Sequence, residues 1–75
     1  MLIELSKEAR RLLGWSQLRL ALAADLPLPA IVEFEFGAPT TPEVIEAIQT
    51  ALEAAGIEFI PENGGGAGVR LRKTT

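Results

Sequence analysis

Few residues of this chain have the chemistry that catalysis or metal binding requires. The sequence contains no cysteine and no histidine, which removes disulfides, cysteine-based zinc sites and the side chain that most often acts as a general base. Glu43 and Glu46 lie three residues apart, where two carboxylates can share one face of a helix. Without a histidine or a cofactor motif, this pair is typical of a solvated helix face. We therefore expect no enzymatic activity, no cofactor and no bound metal.

A glycine-rich run at residues 63–68 has some of the composition of a phosphate-binding loop. A Walker loop needs Gly-Lys-Ser/Thr at the start of a helix, and a dinucleotide fingerprint needs a strand before the glycines and a helix after them. Here segments with the period of strands lie on both sides, and no lysine directly follows the glycines. The run is typical of a flexible hairpin loop.

Capping residues and glycines divide the first 56 residues into four predicted helices. Serine or threonine can cap a helix through its side-chain oxygen, and proline fits the first turn because the N–H that it lacks has no partner there. The predicted helices span residues 7–13, 17–24, 27–36 and 42–55, with Ser6, Ser16 and Thr41 as caps and Gly14, Gly37 and Gly56 after the first, third and fourth helices.

The last twenty residues change to the period of a strand. Residues 57–60 and 69–72 alternate between apolar and polar side chains, and "PENGGGAG" joins them. This pattern predicts a β-hairpin with one apolar face. Because a lone hairpin is marginally stable in water, it must pack on the helices or pair with a second copy. Pairing predicts a homodimer through Ile57, Phe59, Val69 and Leu71.

Length and charge set the class of protein. Seventy-five residues predict a single domain, with a helical core at 6–55 and the hairpin at 56–73, in a mainly α fold. No signal peptide and no run of about 20 apolar residues is evident, so we expect a cytoplasmic protein that does not enter a membrane. The net charge of −3 is uneven, because residues 21–62 hold eight acids and no base. A polyanion would be attracted to the two ends of the chain and repelled by its middle.

Three stretches carry a family resemblance: "ARRLLGWSQLRLALAA" at 9–24, "IVEFEFG" at 31–37 and "ALEAAGIEFIPENGGGAGVRLRK" at 51–73. Together they resemble short bacterial regulators of the XRE (lambda-repressor-like, Cro-type) helix–turn–helix family, over about residues 6–73. The resemblance implies a dimer that reads double-stranded operator DNA with helix 3 in the major groove. It also implies that Gln17 begins helix 2 and contacts a phosphate or orients helix 3, and that Ile31 and Phe34 face inward.

The outward positions depart from that family's pattern. The turn between helices 2 and 3 commonly reads Gly, apolar, Ser, whereas this chain has Asp25, Leu26 and Pro27. The outward positions of helix 3 and the usually polar positions of helix 2 are here mostly apolar: Leu18, Leu22, Leu28, Pro29, Val32 and Glu33. Leu18 and Leu22 could alternatively tuck beneath helix 1 as additional core.

The resemblance predicts a small DNA-binding transcriptional regulator, and the outward surface leaves one alternative open. As a DNA reader, its apolar side chains can meet thymine methyls and Glu33 can accept a hydrogen bond from cytosine N4. Phosphates would repel Glu33 and Glu35, so Arg10, Arg11 and Arg19 would have to supply the positive charge. Alternatively, the surface binds a regulatory protein, as an antiactivator, antirepressor or antitoxin-like protein does. The residues predicted to bind DNA or the partner are Gln17, Leu18, Arg19, Leu28, Pro29, Val32 and Glu33.

Overall fold

The computed structural model describes residues 3–60 and 68–72. Their elements are α1 (Ile3–Leu13), α2 (Gln17–Ala24), α3 (Leu28–Phe36), α4 (Pro42–Ala54), β1 (Ile57–Ile60) and β2 (Gly68–Leu71). The predicted mainly α fold, four helices followed by an antiparallel hairpin, is confirmed for this part of the chain. Residues 63–67 of the glycine-rich run and the basic residue Lys73 lie outside the described residues.

Helix α1 begins earlier than its sequence pattern predicts. The prediction that Ser6 caps this helix is wrong, because the helix begins at Ile3 and Ser6 is fully buried in its interior. Glutamate and leucine precede Ser6, and both are strong helix formers. Ile3 packs against the core and stabilises the additional turn. The Ser6 hydroxyl is consequently available for a contact with another helix.

The other helix boundaries follow the capping residues. The Ser16 hydroxyl accepts a hydrogen bond from the Arg19 N–H at 3.0 Å, and the Thr41 hydroxyl accepts one from the Val44 N–H at 3.3 Å. Helix α4 ends at Ala54, one residue before the predicted end. Gly56 follows with φ +104°, a left-handed conformation that turns the chain into β1 and that side chains rarely adopt.

The core lies where the helices meet the hairpin. Helix α2 packs on α3 and α4, while β2 lies along α1 and β1 lies against α4. The buried apolar residues of the described segments come from all four helices and from β1: Ala9, Leu20, Ala21, Ile31, Phe34, Ile48, Ala51, Leu52 and Ile57. This core fixes the outer sides of α2 and α3 relative to one another.

The hairpin register places its apolar residues on one face. Ile57 lies opposite Leu71, and Phe59 lies opposite Val69. Strand β2 ends at Leu71, one residue before the predicted end, and the Arg72 N–H donates to the Gly56 carbonyl at 2.6 Å. None of the described helices is long and apolar enough to cross a membrane.

Candidate interaction surface on helices α2 and α3

Helix α2 presents two leucines to solvent. Its residues Leu20 and Ala21 are buried in the core. Leu18 and Leu22 lie four residues apart, so they share a different side of the helix, and both are exposed. This exposure decides between the two alternatives for these leucines, because neither tucks beneath α1.

A tight turn joins α2 to α3. Asp25 adopts the left-handed conformation at φ 57°, and its N–H points to the Ala21 and Leu22 carbonyls at the end of α2. Leu26 follows and donates its N–H to the Ala21 carbonyl at 2.9 Å. Pro27 is then the N-cap of α3, without a side-chain hydrogen bond. The turn therefore brings α3 directly against α2, although it lacks the glycine and serine that the family pattern contains.

Helix α3 has a buried side and an apolar exposed side. Ile31 and Phe34 are buried, as predicted. Leu28, Val32 and Phe36 follow one another at intervals of four residues and therefore form a row along the helix. All three are exposed, as are Pro29 and Glu33 beside them.

The exposed rows of the two helices form one candidate surface. We call it the apolar face and define it as Leu18, Leu22, Leu28, Val32 and Phe36. These residues are between 39% and 89% exposed, and Phe36 is the most exposed of them. Asp25 and Glu33 are exposed beside the face, and α3 contains no lysine or arginine. Large exposed apolar patches mark interaction sites in monomeric proteins, which makes these residues of two contacting helices a candidate site.

The opposite side of α3 carries a buried carboxylate. Glu35 accepts hydrogen bonds from the Ser6 hydroxyl at 2.8 Å, from Arg10 Nε and Nη2 at 3.0 and 2.7 Å, and from Gln17 Nε2 at 3.1 Å. Arg10 also donates through Nη1 to the Trp15 carbonyl at 3.1 Å. We call Ser6, Arg10, Gln17 and Glu35 the Glu35 cluster. It ties α1 and the start of α2 to the end of α3.

The Glu35 cluster keeps its carboxylate ionised. Only 1% of the Glu35 side chain is exposed, and this burial acts to raise its pKa. The hydrogen bonds from Arg10, Gln17 and Ser6, together with the Arg10 charge, outweigh burial and hold the pKa of Glu35 below its usual value. Every buried side-chain nitrogen and oxygen of the described residues has a hydrogen-bond partner, so the carboxylate is accommodated without an unpaired polar group.

Two expectations about charge are corrected by this cluster. Glu35 cannot repel a phosphate on the outer surface, because its side chain points into the protein. Arg10 was expected to contact phosphates, but it gives its three donor nitrogens to Glu35 and to the Trp15 carbonyl. The reason is that Ser6 and Arg10 lie four residues apart on one side of α1, and this side faces the end of α3.

The remaining predicted cations have intramolecular partners as well. Arg11 forms an exposed ion pair with Glu8 one turn earlier in α1. The Arg19 guanidinium carbon lies 5.2 Å from the centre of the Trp15 ring, within cation–π distance. Both arginines are nevertheless exposed. Their role as phosphate contacts stays a prediction.

Gln17 does begin α2, as the resemblance implies. Its amide nitrogen donates to Glu35, which lies at the far end of α3. Of the two roles predicted for Gln17, this contact supports the orientation of helix 3. The phosphate contact stays a prediction.

The predicted dimer residues of the hairpin need one correction. Ile57 is fully buried in the core of the single chain, so it has no surface to offer a second copy. Phe59 and Val69 are half-buried against the same core, whereas Leu71 is exposed. Packing on the helices therefore covers most of the apolar face of the hairpin. Of the four residues, Leu71 is the one with a largely accessible side chain.

Two positions of the candidate site and its supporting cluster were not predicted from the sequence. Phe36 was not assigned to the outward surface, although its spacing of four residues from Val32 and eight from Leu28 indicated that side of α3. Ser6 was assigned to a cap, and no local pattern links it to Glu35, which lies 29 residues away. The first position had a signal in the sequence, and the second did not.

A concave region lies between α2 and α4. Ala23 and Ala24 line it on one side, and Glu43, Glu46 and Ala47 line it on the other. The carboxylates thus lie on an open surface, as expected for a solvated helix face. No group of three or more histidine, cysteine, aspartate or glutamate side chains in the described segments is placed to hold a metal ion.

No protein-family model matches the chain, and neither does any curated protein. The XRE resemblance therefore stays a prediction that is carried by the quoted stretches.

Proposed function

We propose that this chain is a small cytoplasmic regulator of helix–turn–helix type whose apolar face binds a regulatory protein. The observation that carries this proposal is the exposure of Leu22, Val32 and Phe36 with their neighbours on a surface where α3 has no cation. An antiactivator, antirepressor or antitoxin-like protein would use such a face.

Physical chemistry favours a protein partner over DNA at this surface. Apolar side chains gain free energy when a partner removes them from water, and acids beside them repel a phosphate backbone. Arg10, one of the three arginines expected to neutralise phosphates, is engaged by Glu35. The Glu35 cluster still gives α3 a defined position, which a docking surface needs as much as a DNA reader does.

Capture of partners from an extract of the cells that carry this protein tests the proposal. Leu28→Glu and Val32→Glu each place a charge in the apolar face, and we expect the captured partner to be lost. Ile60→Glu is the matched control, because Ile60 is 38% exposed, close to the 39% of Leu28, and lies on β1. Circular dichroism checks that the variants keep their helices. Retention of the partner by folded Leu28→Glu and Val32→Glu proteins would show that this face is not the interface.

Operator binding is the second candidate function. It is supported by the exposed Arg19 in the first turn of α2 and by the resemblance to XRE regulators. A homodimer through the hairpin would double the few available cations, and the apolar side chains of α3 would then contact thymine methyls.

A mobility-shift series with the upstream region of the gene tests operator binding. Specific binding predicts that the logarithm of the affinity falls with the logarithm of the salt concentration, with a slope near −0.9 for each neutralised phosphate. Arg19→Gln should weaken this binding, whereas Glu53→Gln, an exposed change on α4, serves as control. The absence of any shift at low salt and micromolar protein would exclude operator binding.

A further inference from the structure

The charged residues exposed beside the α3 part of the apolar face are acidic, whereas the exposed Arg19 lies beside its α2 part, next to Leu18. From residue 20 to residue 69 the chain contains no lysine or arginine. Asp25 and Glu33 are exposed beside the face, and Glu43 and Glu46 are exposed on α4 across the groove from α2. Within this part of the chain, the two acids that have arginine partners, Glu35 and Glu58, lie elsewhere. The face is therefore an apolar surface with acids beside α3, while the Arg19 guanidinium beside α2 lies within cation–π distance of Trp15.

The spacing of the exposed residues suits a helical partner. Leu18 and Leu22 form one row on α2, and Leu28, Val32 and Phe36 form a second row on the adjacent α3. The second row extends over eight residues, which is about 12 Å of helix. An amphipathic helix of three to four turns can lay its i, i+4 and i+7 side chains between two such rows. The hairpin strands contact α1 and α4 and do not belong to this face, so the face has no strand edge with which an extended partner could pair.

We infer, on the basis of the proposed protein-binding function, that the partner segment is a basic amphipathic helix. Its apolar side packs on Leu22, Val32 and Phe36, and its lysines or arginines lie toward Asp25 and Glu33. A second copy of this chain is a poorer occupant, because symmetric pairing would bring like acids together, and like charges oppose association.

Two synthetic peptides of roughly 14 residues test this inference, since about four helical turns are longer than the row on α3 and cover it completely. Both have leucine along one helical side, and they carry either lysine or glutamate at all other positions. Fluorescence anisotropy of the labelled peptide measures affinity for the full chain, and amide chemical shifts locate the binding site. We expect the lysine peptide to bind at least about tenfold more tightly than the glutamate peptide, and more weakly as salt is raised.

Variants separate the contribution of the apolar face from that of the acids beside α3. Phe36→Gln and Leu22→Gln should each lower the affinity for the lysine peptide about tenfold, because each removes a large buried side chain from the complex. Ile60→Gln is the control and should retain the affinity. Glu33→Gln should weaken binding of the lysine peptide while leaving the fold unchanged.

Three results would overturn the inference: equal binding of the two peptides, no binding of the lysine peptide, or binding that Phe36→Gln and Leu22→Gln leave intact. Any of these, combined with loss of the natural partner in Val32→Glu, would reject the basic helix and keep the protein-binding function. Retention of the natural partner in that variant would reject the protein-binding function itself.

Discussion

Replacing Glu35 by glutamine measures how strongly the Glu35 cluster holds three helices together. The substitution keeps the size of the side chain and removes its charge. The amide has one accepting oxygen where the carboxylate has two. Its NH2 group therefore faces two donors that had bonded to the replaced carboxylate oxygen. Two of the four hydrogen bonds are lost, of which at least one comes from Arg10.

The expected loss is about 3 kcal/mol. A hydrogen bond to a charged group contributes about 1.5–3 kcal/mol, and breaking a buried ion pair costs about 3–5 kcal/mol. Because 18% of the Arg10 side chain is exposed, water partly solvates the abandoned guanidinium, which places the loss near the lower bound. A chain of 75 residues has about 4–11 kcal/mol of total stability, so the change removes a large share of it.

Urea unfolding followed by the fluorescence of Trp15, the one tryptophan of the chain, measures this loss. With a slope of about 1 kcal/mol per molar urea, the midpoint should fall by about 3 M. Glu58→Gln is the matched control, because it removes an exposed ion pair with Arg70. If Glu35→Gln moved the midpoint no further than Glu58→Gln does, the proposed stabilising role of the Glu35 cluster would be refuted.

Further predictions concern pH, the cluster, the turn and the hairpin. The folded pKa of Glu35 lies below its ordinary value of 4.5, so its contribution to the free energy of unfolding is present above that value and is lost as pH falls through the folded pKa. Urea midpoints measured across the acid range should therefore decline less in Glu35→Gln than in the wild type. Arg10→Met alone should destabilise by about 3 kcal/mol, and combination with Glu35→Leu should recover most of this loss; an additive loss in the double variant would contradict the pairing. Asp25→Gly should raise stability by up to about 1 kcal/mol in thermal unfolding, since it relieves a left-handed residue, and a lower melting temperature would count against this. Ile57→Ala should cost about 2–5 kcal/mol at every protein concentration, whereas Leu71→Asp should shift only the dimer fraction seen by light scattering. A dimer that is unchanged in Leu71→Asp would place the dimer interface outside this face of the hairpin.

Most of the fold could be predicted from local sequence signals, namely capping residues, glycines and the alternation of apolar and polar residues. The Thr41 cap followed by proline marks the start of α4, and Gly56 marks its end, because both act on the backbone of the turn they occupy. The alternation at residues 57–60 likewise predicts β1. Ser6 shows where a local rule fails. Serine is a preferred N-cap residue, but the Ser6 hydroxyl donates a hydrogen bond to Glu35 on another helix.

The candidate site was predictable in its outward positions and not in its charges. Leu28, Val32 and Phe36 follow from helical spacing once α3 is placed. Arg10 is unavailable to a ligand because it pairs with Glu35, which lies 25 residues away. No rule of residue spacing predicts such a pair. Alternation showed that Ile57 lies on an apolar face, but only the packed structure shows that the helices of the same chain cover it.

The Glu35 cluster has a kinetic consequence for any ligand of α3. Glu35 and Phe36 are neighbours in sequence, yet one is locked between three helices and the other is almost fully in solvent. The outer side chains are therefore presented by a preorganised backbone, and a ligand need not order the helix when it binds. Association should follow a single step at a rate that changes little among variants of the apolar face. Their differences in affinity should appear as differences in the lifetime of the complex.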